Sequence, residues 1–188
     1  SDTHSGYVKK VNQNELEGYA VMAPTRRRPK PVHIYFVAAF DKPFETFGVW
    51  KDGELLPEAD AVEGSRTGAY VSFSTEQNEL RQMKVAISYV SIEQARLNLE
   101  TEVPHWDFKR TVEETRDAWN DYLSRIEIEG GTEIEQRRFY TDLWHALQGR
   151  RIISDVNGKY CDMTGDEKRI GQIPLDDNGK PACNHYNS

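Results

Sequence analysis

Apolar and polar positions alternate along the first half of the chain and recur at helical spacing through much of the second. The longest β-branched and aromatic run is Val32-His33-Ile34-Tyr35-Phe36-Val37-Ala38-Ala39-Phe40, entered from Pro29 and Pro31 and closed by Asp41-Lys42-Pro43. A run of that composition with proline at both ends reads as a strand. Residues 18–22, 46–50, 69–73 and 83–90 read as further strands. In the last, Val85, Ile87 and Tyr89 fall on one face and Ala86, Ser88 and Val90 on the other. Asp52-Gly53 and Glu63-Gly64-Ser65 supply turns between them. Strands in succession with no helix between them predict an antiparallel sheet or sandwich. These strands are too few to close two sheets, which places the remaining strands of a sandwich before Ser1.

At Ser91 the period changes. Ser91-Ile92-Glu93-Gln94 has the form of a capping box, with Ser91 able to cap and Gln94 able to reach back. The spacing predicts a helix to about residue 102, stopped by Pro104. Asp107 is placed to cap a second helix, in which Phe108, Val112, Thr115, Trp119 and Leu123 share one face. Residues 125–129 read as a short extended piece ending at Gly130-Gly131. Thr132-Glu133-Ile134-Glu135 is another capping box, and Phe139, Tyr140, Leu143, Trp144 and Leu147 form a wide stripe behind it. Such a stripe is enough to bury the helix, so Trp119 and Trp144 are expected to be largely buried. From 149 to 188 no helical period survives; Asn157-Gly158 and Asp176-Asp177-Asn178-Gly179 mark turns between extended pieces. A stretch of this length without a helix is unusual in a compact domain unless it is functional.

Composition narrows the class. The chain has 188 residues, 24 Lys+Arg against 31 Asp+Glu, a net charge of −7, and 11% aromatic residues. Disordered chains are poor in rings, so this is a folded protein. The acidic balance argues against a nucleic-acid binder. No apolar run approaches the roughly 18 residues of a membrane-spanning helix, and no secretory h-region is present. Cys161 and Cys183 are the only cysteines, which excludes a disulfide framework and a four-cysteine zinc site; they are either one pair or two thiols.

The candidate chemistry is sparse. Arg26-Arg27-Arg28-Pro29-Lys30 is the one basic cluster, read as a solvated loop in an acidic protein. Asp155-Val156-Asn157-Gly158 begins like a calcium loop, but Lys159 and Tyr160 occupy the positions where an EF-hand needs an oxygen ligand and a glycine. Asn-Gly in this setting makes a hairpin turn, with Asp155 either structural or a polar contact to a ligand. His145 beside Trp144 reads as packed, and no second His or Cys stands at zinc-ligand spacing from any histidine. Glu113-Glu114 and Glu133/Glu135 sit at helix starts, where they favour the dipole. No nucleophile elbow, phosphate loop or dinucleotide fingerprint is present.

One continuous stretch is more specific than any of these. Lys84-Val85-Ala86-Ile87-Ser88-Tyr89-Val90-Ser91-Ile92-Glu93 leads to Ala95 and Asn98-Leu99-Glu100, then Trp106-Asp107-Phe108 and Ala118-Trp119-Asn120. Ile126-Glu127-Ile128-Glu129-Gly130-Gly131-Thr132-Glu133, Phe139-Tyr140-Thr141, His145 and Ser154-Asp155-Val156-Asn157-Gly158-Lys159-Tyr160 follow. This series closely resembles glycoside hydrolase family 92, the exo-acting α-mannosidases. Upstream, Ile34-Tyr35-Phe36-Val37 and Lys42-Pro43-Phe44 fit the later strands of that family's N-terminal sandwich. The chain departs from the family pattern at Cys161-Asp162-Met163 and at Gly149-Arg150-Arg151.

The resemblance implies an interior α+β fragment: the late strands of an antiparallel β-sandwich over residues 1–90, linker helices over 91–131, and the start of an (α/α) toroid over 132–188. It implies calcium-dependent, inverting hydrolysis of terminal α-mannosides from mannose-containing glycans, in a periplasmic or secreted setting. The catalytic carboxylates and the calcium ligands are expected after Ser188, so this chain holds neither a catalytic residue nor a metal ligand, and alone it is expected to be inactive. Within it, Asp155 is the first candidate to bind sugar hydroxyls, with Asn157 and Arg151 behind. Two other readings compete: a non-catalytic carbohydrate-binding sandwich with a helical appendix, and an interaction domain that docks a partner on helix 132–148.

Overall fold

The computed structural model describes residues 3–26, 29–148, 152–163 and 168–183. It divides into two compact units, one running to Pro104 and resuming at Ile153, the other formed by His105–Ile152.

Among the described residues of the first unit, eight strands precede any helix. They are β1 (Thr3–Asn12), β2 (Glu15–Met22), β3 (Val32–Phe40), β4 (Thr46–Lys51), β5 (Glu54–Leu56), β6 (Ala61–Gly64), β7 (Thr67–Ser72) and β8 (Met83–Ser88). They make a five-stranded sheet in the order β6-β1-β2-β3-β8 and a three-stranded sheet in the order β5-β4-β7, antiparallel throughout. Alternation sends the side chains of β3 to two different cores. Ala38 packs with Leu16 and Phe44 in a cluster that also takes in Phe36, Phe47 and Val71, between the sheets. Val37, its neighbour in sequence, packs on the opposite face with Ala95 and Leu99 of helix α1 (Ile92–Glu102). The layers are therefore helix, large sheet, small sheet. Arg96 ties α1 to the large sheet further, pairing with Glu15 and, at 2.8 Å, with Glu17 of β2. Gly18 is needed where β2 passes Phe36: an added Cβ would lie 2.9 Å from that ring and 2.0 Å from the Tyr7 carbonyl oxygen.

The first unit closes with a hairpin, β9 (Lys159–Asp162) against β10 (Arg169–Gln172). The Asn157-Gly158 turn falls as expected, with Gly158 at φ 81°, a conformation that favours glycine. Cys161 is a buried free thiol and Cys183 an exposed one, so the two do not pair.

The sequence did not disclose β1, β5 or β6. β1 is mostly polar and earns its place by pairing on both sides, with β2 and β6. Residues 125–129 form no strand. At the head of α1 the capping box is half made: Ser91 Oγ accepts from the Gln94 backbone at 3.3 Å, but Gln94 Oε1 is buried without a partner.

The second unit is a helical pair, α2 (Phe108–Leu123) and α3 (Glu133–Leu147). Asp107 caps α2 through the Arg110 N–H at 3.1 Å, and at Thr132 both halves of the box are present. Trp119 and Trp144 meet edge to face with centroids 6.0 Å apart. They are half-buried rather than largely buried. Two helices cover each other along a single seam, which leaves Phe108, Val112, Ile134 and Leu147 exposed.

The two sheets are unequal, and β8 shows the consequence. Its pairings Phe36↔Ile87, Ala38↔Val85 and Phe40↔Met83 place Met83, Val85 and Ile87 on the inward face. The small sheet stops short of them, so all three are exposed. Position on the same kind of face thus has opposite energetic weight. Val49→Ala, at 0% exposure, is expected to destabilise by about 2 kcal/mol. Val85→Ala, at 51% exposure, should change stability by less than about 0.5 kcal/mol. Urea midpoints with unchanged m-values check both; equal losses would contradict the layer assignment.

Candidate functional site

Three buried polar side chains from three elements meet at one point. Asp155, just before the hairpin, is 5% exposed; Ser88, at the end of β8, is 2%; Asn98, in the middle of α1, is 7%. Ser88 Oγ donates to Asp155 Oδ2 at 2.9 Å, and Asn98 Nδ2 donates to Asp155 Oδ1 at 2.8 Å. Asn98 Nδ2 also reaches the Ile87 carbonyl at 2.9 Å, while its Oδ1 accepts the Val156 N–H at 3.0 Å. The Val90 N–H donates to Ser88 Oγ at 2.9 Å.

Local folding explains how each group arrives. Ser88 shares a face with Tyr35, its partner across the ladder, the last step of a row that runs from Glu63 through Tyr7 and Tyr19. Asn98 lies one helical turn on from Ala95, on the side of α1 that faces the sheet. Asp155 is held by its own turn: its N–H donates to the Lys159 carbonyl and its carbonyl accepts from the Gly158 N–H, each at 2.8 Å. The Ile173 N–H then closes onto the Gly158 carbonyl at 2.9 Å.

Burial raises the Asp155 carboxyl above its ordinary range, against the opposing pull of Asn98, Ser88 and the Lys159 charge. Glu102, at the end of α1, is also raised, first by desolvation and then by the Asp155 charge.

The expected site residues fare differently. Both Asp155 oxygens accept from protein donors inside the fold, because the turn and the helix stripe aim the carboxylate inward. Asn157 stands at the turn, where its Oδ1 accepts the Lys159 N–H at 3.2 Å and its carbonyl accepts from Gln172 Nε2 at 2.8 Å. Arg151 lies outside the described residues. Ser88 and Asn98 were not foreseen, although a polar residue on the apolar stripe of α1 was a readable signal. Among the described residues no group of three or more His, Cys, Asp or Glu could hold a metal ion. The oxygens of Asp155 are committed to nitrogen and hydroxyl donors, so this cluster does not fit calcium.

A two-sheet sandwich followed along the chain by a helix, a helical pair and a hairpin is a two-domain succession. The glycosyl hydrolase family 92 N-terminal domain matches residues 1–88 and the glycosyl hydrolase family 92 catalytic domain matches residues 94–176. The chain belongs to glycosyl hydrolase family 92. Solved structures share the fold. An inverting mannosidase of this family from Bacteroides thetaiotaomicron VPI-5482 shares 25% identity over 92% of this chain, with a TM-score of 0.78. The family 92 hydrolase ccman5 covers 100% of the chain at 24% identity and TM-score 0.82. A family 92 α-mannosidase from Bacteroides thetaiotaomicron covers 98% at 22% identity and TM-score 0.81. In each case the chain spans 24% of the other protein's length. Comparison with curated protein sequences gives no match.

A titration isolates the Asp155 charge together with its effect on Glu102, which acts in the same direction. Because its folded-state pKa is raised, the folded chain holds that proton more tightly than the unfolded chain does. Stability from this group is greatest at low pH and declines as pH rises through the raised range. Glu79, lowered to about 2 by Lys42, the Glu76 backbone and Arg81, behaves oppositely, and His33, lowered by burial and Lys168, also loses stability in acid. Both titrate equally in an Asp155→Asn variant and cancel in the difference. The parent is expected to gain stability relative to Asp155→Asn as pH falls from neutral to about 4. A difference that is flat with pH, or of opposite slope, would contradict the raised carboxyl.

Proposed function

We propose that the protein is an exported, calcium-dependent α-mannosidase that removes terminal α-mannose units from glycans with inversion. The observation that carries this reading is the succession of both family 92 domains along one chain, in a fold shared with an inverting mannosidase. A further support is a solved family 92 α-mannosidase from Bacteroides thetaiotaomicron in complex with mannoimidazole, which resembles this chain at TM-score 0.80.

Inversion needs one carboxylic acid to protonate the leaving oxygen and one carboxylate to activate water, set about 6.5–9.5 Å apart to admit that water. Asp155 and Glu102 are not offered for these roles, since the first is locked inside the fold. On this reading the acid and base belong to the helical domain outside residues 1–188, as do the calcium ligands. Calcium when bound supplies a flexible shell of oxygen ligands that can include sugar hydroxyls. The chain's own contribution on this reading is the turn after Asp155, which carries the Asn157 amide; Arg151, by its charge, is a second group suited to orient hydroxyls of the terminal sugar.

The complete protein is expected to release mannose from an aryl α-mannoside, with β-mannose as the first-formed anomer by proton NMR. A chelator should abolish turnover and added calcium should restore it. The chain of residues 1–188 alone should be inactive under the same conditions. Release of α-mannose first, or no release at all by the complete protein, would overturn the proposal; turnover by residues 1–188 would overturn the placement of the acid and base.

A further inference from the structure

The first unit loses the chain at Pro104 and regains it at Ile153. Asn98 and Asp155, 57 residues apart, hold the two sides of that excursion together. Ser88 is 67 residues from Asp155 and is the last residue of the N-terminal-domain match, whereas Asn98 and Asp155 both lie in the catalytic-domain match. The node therefore joins the two family domains at one buried carboxylate.

Its geometry is that of a clamp. Each carboxylate oxygen faces a donor from a different element, one on β8 and one on α1. Asn98 grips twice, donating its amide N–H to the Asp155 side chain and accepting, at its amide oxygen, the backbone N–H of Val156. The turn cannot slide by one residue without breaking both contacts. Beyond the node, the same turn carries Asn157 and leads into β9, where Cys161 is buried.

We propose that Asp155 is a positioning residue: its buried carboxylate clamps the catalytic-domain hairpin onto the N-terminal sheet and so fixes the 156–159 turn that presents Asn157. The kinetic consequence rests on the mannosidase reading; the mechanical one does not.

The test uses the complete protein with Cys183 replaced by serine and any thiol outside residues 1–188 labelled separately, so that maleimide labelling of Cys161 reports hairpin opening. Asp155→Ala should accelerate that labelling by at least about tenfold, while Asp155→Asn, which keeps an oxygen acceptor and lets the Ser88 hydroxyl turn round, should stay within about threefold of the parent. Amide exchange in β2 and β3 should be unchanged. With an aryl α-mannoside, Asp155→Ala should raise KM by about tenfold with a smaller fall in kcat, and Asp155→Asn should restore most of the loss. If Asp155→Ala does not fold, Ser88→Ala, which removes one donor, should accelerate labelling by at least about threefold. Labelling unchanged in the alanine variants would overturn the clamp. So would an Asp155→Asn enzyme with KM raised as far as in Asp155→Ala while Cys161 stays protected, since that outcome makes the charge a direct sugar contact. If the parent hydrolyses no mannoside, the mannosidase reading falls and the labelling result alone decides the clamp.

Discussion

A carboxylate buried as deeply as Asp155 must be answered by donors, and the rest of the first unit is arranged so that they are there. Removing an ionised carboxylate from water costs several kcal/mol even after relaxation. Two hydrogen bonds to a charged acceptor return about 1.5–3 kcal/mol each. The two magnitudes are comparable, so the donors offset most of the cost of burying the charge. Ser88 has to stand at the last position of β8, facing α1. Asn98 has to fall on the inward stripe of that helix, and the hairpin has to begin with a turn that aims Asp155 at both.

That requirement orders the layers around it. The large sheet is the middle layer and must bury both faces, which is why Val37 and Ala38, adjacent in sequence, belong to different cores. α1 is fixed on the outer face by apolar contacts at Ala95 and Leu99 and by the pairing of Arg96 with Glu15 and Glu17. With the helix so placed, Asn98 has one direction in which to point. The opposite face of the sheet is less complete: Met83, Val85 and Ile87 extend beyond the small sheet's cover, and the helical pair carries its own exposed apolar side. Apolar surface of that extent is the kind that another part of a polypeptide or a partner covers.

Much of this was legible from residue spacing. The strand at Val32–Phe40, the three helices and their caps at Asp107 and Thr132, and the Asn157-Gly158 turn are all local signals, and local signals are what a sequence displays. β1 was hidden because pairing on two sides, rather than its own side chains, makes it a strand. The partial exposure of Trp119 and Trp144 was hidden because a stripe shows that a helix has an apolar face without showing how much of it a single neighbour can cover. The direction of Asp155 was hidden for a third reason. Its donors lie 57 and 67 residues away, and a carboxylate beside a turn looks the same from the sequence whether it faces a ligand or the fold. Family resemblance supplied the domain order but not that orientation.

The central claim is that Asp155 and Asn98 act as one unit, and a double-mutant cycle measures this directly. Unfolding free energies are needed for the parent, Asn98→Ala, Asp155→Ala and the double variant, all at one neutral pH. A coupling energy of about 1–3 kcal/mol between the two positions is the expected result, because either single change leaves the other group buried without its partner. Additivity within about 0.3 kcal/mol would contradict it, and would mean that the carboxylate and the amide are neighbours that do not depend on one another.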